Sequence, residues 1–281
     1  MDRSMTRRDL ISATPAVLAS GILSGMPAIV RASAEPLPVD EKPALWPGFP
    51  RQDAKLVAEI VGKSHRDEAA VRELVKSHPP LVNAWWDWGF GDWESPLGAA
   101  SHVGQRGIAE FLLEHGARID IFAAAMLGLT DVVKAFVTSQ PGIQRTLGPH
   151  GITLLKHAEA GGEQAADTLA YLTALGDADV GHKITPLPDD RKEVFVGKFV
   201  SEETGVRLEC RLNKNGQLVV EIQQANVEPV SRSNLNYVGE DEFFPSGVPS
   251  VRFRFDVDGV KARSVSIRGS DAILTARRID E

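Results

Sequence analysis

Short helical units that repeat along residues 53–175 constrain the fold of this chain most. Gly104, Gly128 and Gly162 each follow a run of small and apolar residues, and they lie 24 and 34 residues apart. Apolar residues recur with helical spacing between these glycines. A unit of two short helices cannot bury its apolar face alone, so such units must stack on one another. The sequence therefore predicts an α-solenoid over residues 53–175.

One hexapeptide connects these units to a known family. Residues 95–100 (SPLGAA) resemble the ankyrin hexapeptide T-P-L-H-x-A, and residues 114–120 (EHGARID) resemble the usual exit of an ankyrin repeat. The pattern departs from the family where Gly98 replaces the hexapeptide histidine, and where Asp120 leads straight into the next helix without a hairpin. The resemblance implies an ankyrin-type solenoid whose first helices form a concave surface for another protein.

The spacing of apolar residues changes from helical to alternating near Glu193, after a proline-containing linker at 176–192. Residues 193–281 therefore predict an antiparallel β domain, either a small barrel or a curled sheet, and the chain as a whole is an α+β multidomain protein. The predicted strands are Glu193–Val200, Val206–Leu212, Leu218–Gln224, Val227–Ser231, Val251–Val257, Ala262–Arg268 and Ile273–Arg277. The run Val196–Phe199 and its aromatic partners Phe243, Phe244 and Phe253 resemble the lipocalin-like β domain found behind some penicillin-binding-type hydrolases. No catalytic role comes with that resemblance.

The N-terminus carries the features of an export signal. Residues 6–11 (TRRDLI) resemble the twin-arginine motif, a mildly apolar stretch follows, and Ala32-Ser33-Ala34 provides a small-residue cleavage site. Residues 1–34 are therefore expected to be removed, and residues 35–52 form a proline-rich lead-in. We expect a periplasmic or secreted protein with no stable membrane insertion after cleavage.

Charge and cysteine content exclude several classes of partner and site. The chain has 38 acidic and 31 basic residues, a balance that argues against a nucleic-acid partner. Its single cysteine, Cys210, rules out an intramolecular disulfide and a multi-cysteine metal cluster. Because Cys210 lies among alternating apolar residues, it is expected to be a small buried side chain.

Four of the five tryptophans fall within residues 85–93 (WWDWGFGDW), here called the tryptophan segment. Tryptophan is enriched where proteins bind their partners, so this segment is a candidate recognition finger. The alternative is a loop that folds back and caps the helical stack. The predicted partner-binding residues are Trp85, Trp86, Trp88, Phe90, Trp93 and His102.

Catalytic and metal-binding motifs are not evident in the sequence. None of the seven histidines forms an H-E-x-x-H pair, and neither G-x-S-x-G nor a phosphate-binding glycine loop occurs. The sequence thus predicts neither a metal site, nor a cofactor, nor an enzyme. Acid–base pairs that assemble through space stay open at this stage.

Three functions remain as expectations. The first is non-enzymatic recognition of another protein in the periplasm by the helical stack and the tryptophan segment. The second is a carrier of a small apolar ligand inside the β domain, suggested by Val251, Phe253 and Phe255, although a domain of this size is expected to fill its own interior. The third, suggested only by the β-domain resemblance, is an enzyme of the cell envelope.

Overall fold

Eight α-helices and a closed β-barrel make up the described part of the chain. The computed structural model describes residue 48 and residues 50–225, 231–269 and 273–280. The helices are α1 (Ala54–Lys63), α2 (Glu68–Ser77), α3 (Pro96–His102), α4 (Arg106–Glu114), α5 (Ile121–Met126), α6 (Thr130–Ser139), α7 (Leu154–Ala160) and α8 (Ala166–Leu175). The predicted export signal lies outside the described residues, as does nearly all of the lead-in. Among the helices that are described, none is long and apolar enough to cross a membrane.

Capping residues and glycines define where the first helix of each pair begins and ends. The side chains of Ser95, Asp120 and Thr153 accept a hydrogen bond from the first turn of α3, α5 and α7. Gly104 and Gly128 follow α3 and α5 with the same left-handed φ of 72°. A side chain at Gly104 would place its Cβ 2.3 Å from a carbonyl oxygen of the α7 region, so the glycine also permits close packing.

The helices pack in pairs, and the first helices of the pairs pack on one another. Each odd-numbered helix contacts the even-numbered helix that follows it, and α3 contacts α1, α5 and α7, while α5 contacts α7. The second helices also contact one another, α2 with α4 and α6 with α8. Alanines make these contacts close: Ala99 and Ala100 on α3 and Ala123, Ala124 and Ala125 on α5 are fully buried. The apolar sides of the helices are thus buried between successive pairs.

The tryptophan segment forms a short hairpin between α2 and α3. Strands β1 (Trp86–Asp87) and β2 (Trp93–Glu94) pair antiparallel, after a 3₁₀ turn at Pro79–Asn83. The connection runs through Gly89, Phe90 and Gly91, all with positive φ. Of these, Phe90 is a non-glycine residue, and its ring packs edge-on against Phe253 of the barrel, with 5.6 Å between ring centroids.

The C-terminal strands close into an antiparallel barrel, which confirms the barrel alternative for this domain. The strands are β3 (Gly197–Val200), β4 (Arg207–Leu212), β5 (Leu218–Gln223), β6 (Ser231–Gly239), β7 (Glu242–Pro245), β8 (Arg252–Val257), β9 (Ala262–Arg268) and β10 (Ile273–Arg278). Each pairs with its neighbour along the chain, and β10 also pairs with β3. Phenylalanine rings fill the interior, among them Phe195, Phe199, Phe243, Phe253 and Phe255. Cys210 is buried in the same core, as expected.

One predicted strand differs from the structure, another is not tested by it, and two strands of the barrel were not predicted. The first strand begins at Gly197, because residues 189–195 form a 3₁₀ helix. The predicted strand Val227–Ser231 falls outside the described residues except for Ser231, while β6 and β7 were not predicted as strands. They join through Glu240 and Asp241, both with positive φ, and neither is the glycine that usually marks such a turn.

Candidate metal centre

Alternation along the hairpin directs its two strands' side chains to opposite faces. Trp86 lies opposite Glu94, and the Trp88 amide donates to the Asp92 carbonyl, so these four residues share one face of the hairpin. This inward face contacts the helices: Trp86 and Trp88 pack against their core, and Asp92 and Glu94 are buried. The hairpin therefore carries two carboxylates into the protein between tryptophan rings.

Glu94 meets three histidines from separate parts of the chain. His65 follows the end of α1, His102 is the last residue of α3, and His150 lies in the turn Pro149–Gly151 before α7. One ligand atom from each of these four residues lies within 4.8 Å of the others. We refer to His65, Glu94, His102 and His150 as the His–Glu cluster.

Distances within the His–Glu cluster fit a small metal ion. Glu94 Oε1 lies 3.0 Å from His102 Nε2 and 3.5 Å from His150 Nε2, and Glu94 Oε2 lies 3.5 Å from His65 Nε2. The Nε2 atoms of His65 and His102 are 3.1 Å apart. A tetrahedral ion with bonds of 2.0–2.1 Å separates its ligand atoms by about 3.3 Å. The observed separations lie on both sides of that value.

Hydrogen bonds fix the orientation and the tautomer of two of the imidazole rings. His65 Nδ1 lies 3.1 Å from the Val61 carbonyl and 3.2 Å from the Gly62 carbonyl, and His150 Nδ1 lies 2.7 Å from Asp92 Oδ2. Carbonyl and carboxylate oxygens only accept, so each Nδ1 carries the hydrogen. In the neutral ring, the Nε2 lone pair then faces the cluster. A carboxylate or carbonyl behind a histidine is the usual support of a metal-binding imidazole.

The Glu94 carboxylate is held in a fixed orientation. Its side chain is inaccessible to solvent, and Trp88 Nε1 donates a 2.7 Å hydrogen bond to Oε2. Oε1 is buried and forms no hydrogen bond of good geometry, and its nearest polar neighbours are His102 Nε2 and His150 Nε2. Burial alone would raise the pKa of Glu94, but His102 and His150 outweigh burial and lower the pKa to about 2. The carboxylate is therefore ionised, and Oε1 is the oxygen that faces His102 and His150.

The surroundings of the cluster shift the pKa values of His150 and His65 in opposite directions. Burial alone would lower the pKa of His150, but Asp92 and Glu94 outweigh it and raise the pKa to about 10. Burial lowers the pKa of His65, although Glu94 opposes the shift. In the absence of a metal ion, His150 is thus the ring that holds a second proton, directed at Glu94.

His157 lies behind the cluster but does not join it. Its ring is fully buried next to His102, with 6.4 Å between centroids, and Nδ1 lies 2.9 Å from Ser101 Oγ. Burial, together with the positive charge that His102 can carry, lowers the pKa of His157 to about 3. His157 is therefore a neutral residue that packs beneath the site.

The residues predicted to bind a partner separate into different environments. Trp85 and Trp93 expose 52% and 54% of their surface on the outward face of the hairpin. Trp86 and Trp88 are half-buried against the helices, and Phe90, 36% exposed, packs on the barrel. His102 lies in the His–Glu cluster. Sequence reasoning did not connect His65, Glu94 and His150, which are brought together by the fold.

Searches against protein-family models, curated proteins and solved structures find no significant match to this chain.

Proposed function

We propose that this protein binds a divalent transition-metal ion through His65, Glu94, His102 and His150. The observation that carries the proposal is the convergence of an ionised carboxylate oxygen and imidazole nitrogens, with one ligand atom of each residue within 4.8 Å of the others and the shortest separations at 3.0 and 3.1 Å. The ligand set combines imidazoles and a carboxylate without a thiolate. Such a set suits Zn²⁺ and its neighbours Co²⁺, Ni²⁺ and Cu²⁺ better than Ca²⁺ or Mg²⁺.

Supporting residues favour a metal centre over a purely structural hydrogen-bond network. In a network, His102 Nε2 carries at most one hydrogen for two near neighbours, Glu94 Oε1 at 3.0 Å and His65 Nε2 at 3.1 Å, and Oε1 forms no hydrogen bond of good geometry. A cation can bind Glu94 Oε1 and the Nε2 lone pairs of both rings at the same time. Asp92 behind His150 and Trp88 behind Glu94 then orient the ligands.

The cluster also has a route to solvent. The side chains of His65 and His150 are 24% and 26% exposed, whereas those of His102 and Glu94 are 9% and 0% exposed. An ion can therefore enter from the side of His65 and His150.

Metal titration of the full chain tests the proposal. After removal of metals with a chelator, we expect one equivalent of Zn²⁺ by calorimetry, and intense visible absorption from a four-coordinate site with Co²⁺. His65→Ala and His102→Ala should each lose this binding, while His115→Ala, which removes a histidine at the far end of α4, should retain it. Failure of the parent protein to bind either ion, or equal binding by all variants, contradicts the proposal.

We further propose that the helical pairs are ankyrin-type units that recognise another protein in the periplasm. The contacts between the first helices of successive pairs, and the capping side chains that begin α3 and α5, support this proposal. The exposure of Trp85 and Trp93 favours recognition at the outward face of the hairpin.

Crosslinking in living cells tests the recognition function. A Trp85→Ala/Trp93→Ala variant should lose a crosslinked partner that the parent protein and Val260→Ala both capture; Val260 is an exposed apolar residue of the barrel. Zinc binding should be unchanged in the double variant. Identical crosslinks in all three proteins would exclude the outward face from recognition.

A further inference from the structure

A cleft lies beside the outward face of the hairpin. It encloses about 290 Å³, and its walls include Trp85, Trp93 and Phe122, with Gly247 of the barrel at one edge. We call it the tryptophan cleft. The two tryptophans are the large aromatic side chains most exposed to solvent among the described residues.

Aromatic surface of this extent is costly to leave in water. Burying apolar area contributes roughly 25 cal/mol per Å², so both indole rings have much to gain from contact with a ligand. Trp86 and Trp88, their neighbours along the chain, do pack against the helical core. The contrast comes from alternation along the strands, which places Trp85 and Trp93 on the outward face and Trp86 and Trp88 on the inward face.

The charged side chains that line the tryptophan cleft are Asp92 and Asp120, both acidic. Asp92 forms an ion pair with His150, whereas Asp120 has no arginine, lysine or histidine within ion-pair distance in the part of the chain that the structure describes. Asp92 holds the ring and backbone amide of His150, and Asp120 accepts from the Ala123 amide at the start of α5. Burial raises the pKa of Asp120, since the hydrogen bonds from backbone amides do not fully offset the loss of hydration.

We propose that the tryptophan cleft binds a cationic group, the side chain of a lysine or arginine on a partner polypeptide. This inference deepens the recognition function proposed above and rests on it; it does not depend on the metal. The faces of Trp85 and Trp93 attract a cation through their ring electrons, and tryptophan is the strongest of the aromatic side chains in this respect. Asp120 adds charge complementarity from the lining of the cleft, and Asp92 adds less because its charge is already paired with His150.

Labelled peptides provide the probe. We use fluorescein-labelled Gly-Gly-X-Gly-Gly amides, with X as lysine, arginine or norleucine, and measure anisotropy with the full chain. Norleucine matches the apolar stem of lysine without its charge. The lysine and arginine peptides should bind about fivefold tighter than the norleucine peptide at low salt, and the preference should shrink as salt is added.

Two variants separate the contribution of charge to peptide binding from the contribution of aromatic contact. Asp120→Asn removes the charge but keeps a residue that caps helices well, so it should lower the preference for lysine to about twofold or less without unfolding α5. Trp93→Ala should weaken all three peptides, and Val260→Ala should weaken none. Circular-dichroism melts establish that each variant is folded.

Equal binding of the lysine and norleucine peptides overturns the inference, and so does tighter binding of a neutral oligosaccharide than of any peptide. If crosslinking depends on Trp85 and Trp93 but no preference for cations is found, recognition stands and the cationic inference fails. If the peptides bind as expected but no crosslink depends on these tryptophans, the cationic site stands and the recognition function fails.

Discussion

Replacement of Trp88 by phenylalanine tests whether the hairpin orients the metal ligand. Trp88 Nε1 donates to Glu94 Oε2 at 2.7 Å, which leaves Oε1 directed towards the imidazoles. Phenylalanine retains an aromatic ring in the helical core but cannot donate this hydrogen bond. Without this hydrogen bond, the Glu94 carboxylate is not fixed in the metal-free protein and must become ordered when the ion binds.

The expected loss follows from the kind of hydrogen bond removed. A hydrogen bond to a charged group contributes about 1.5–3 kcal/mol, of which water recovers a part where it can enter. Loss of a supporting group of this type weakens metal binding by roughly 10- to 100-fold, or about 1.4–2.7 kcal/mol. Since the pKa of Glu94 is about 2, proton competition at this residue does not obscure the effect at neutral pH.

Competition with a chromophoric zinc chelator measures the affinity, and Trp86→Phe is the matched control. Trp86 lies on the same face and packs on the same core, so its replacement should change the affinity by less than about threefold. Thermal melts of the metal-free proteins separate a change of affinity from a change of stability. Equal zinc affinities for Trp88→Phe and the parent protein would refute the argument that Trp88 orients Glu94.

Four further predictions concern pH, the thiol and the helix ends. Zinc affinity should rise with pH by up to about tenfold per unit around neutrality, because the ion must displace the proton that His150 holds with a pKa of about 10; a flat profile by calorimetry contradicts this. His157 should cost the metal-free protein about 1.4 kcal/mol of stability per pH unit as the pH falls from 6.5 towards 3, since its pKa is lowered to about 3 in the folded state. In urea unfolding, the free energy of unfolding of His157→Gln should therefore fall less steeply with decreasing pH than that of the parent protein. Cys210, whose pKa is raised to about 12 by burial, should react with iodoacetamide about a thousandfold more slowly than in urea at pH 8. Gly104→Ala should destabilise the protein by about 2 kcal/mol or more in urea unfolding, because φ is 72° and the new Cβ would lie 2.3 Å from the Ala160 carbonyl oxygen.

Local rules account for the parts of the fold that the sequence predicted. A glycine after each short helix and a capping side chain before it are properties of neighbouring residues, so Gly104 and Gly128 were recognisable as helix ends. The alternation of Phe253 and Phe255 with polar residues likewise predicted β8. Such signals depend on residues close together in the sequence and can be recognised without knowing which distant residues are in contact.

The His–Glu cluster has no comparable local signal. Its histidines come from a helix end, a second helix end and a turn, at positions 65, 102 and 150, and no motif spans those distances. A search for paired histidines on one helix therefore does not detect the site. One partial signal existed: Asp92 and Glu94 are two residues apart in a segment rich in tryptophan, as expected for carboxylates on one face of a strand.

The same alternation relates the two proposed sites. Within one short hairpin, Glu94 and Asp92 point towards the helices, while Trp93 between them points away. A one-residue shift of register would exchange these faces, placing Trp93 inside and both carboxylates outside. Pairing of Trp86 with Glu94 prevents that shift, and the packing of Phe90 against the barrel holds the turn. The hairpin's register is thus the condition for both sites, with Asp92 holding His150 on one side and lining the tryptophan cleft on the other.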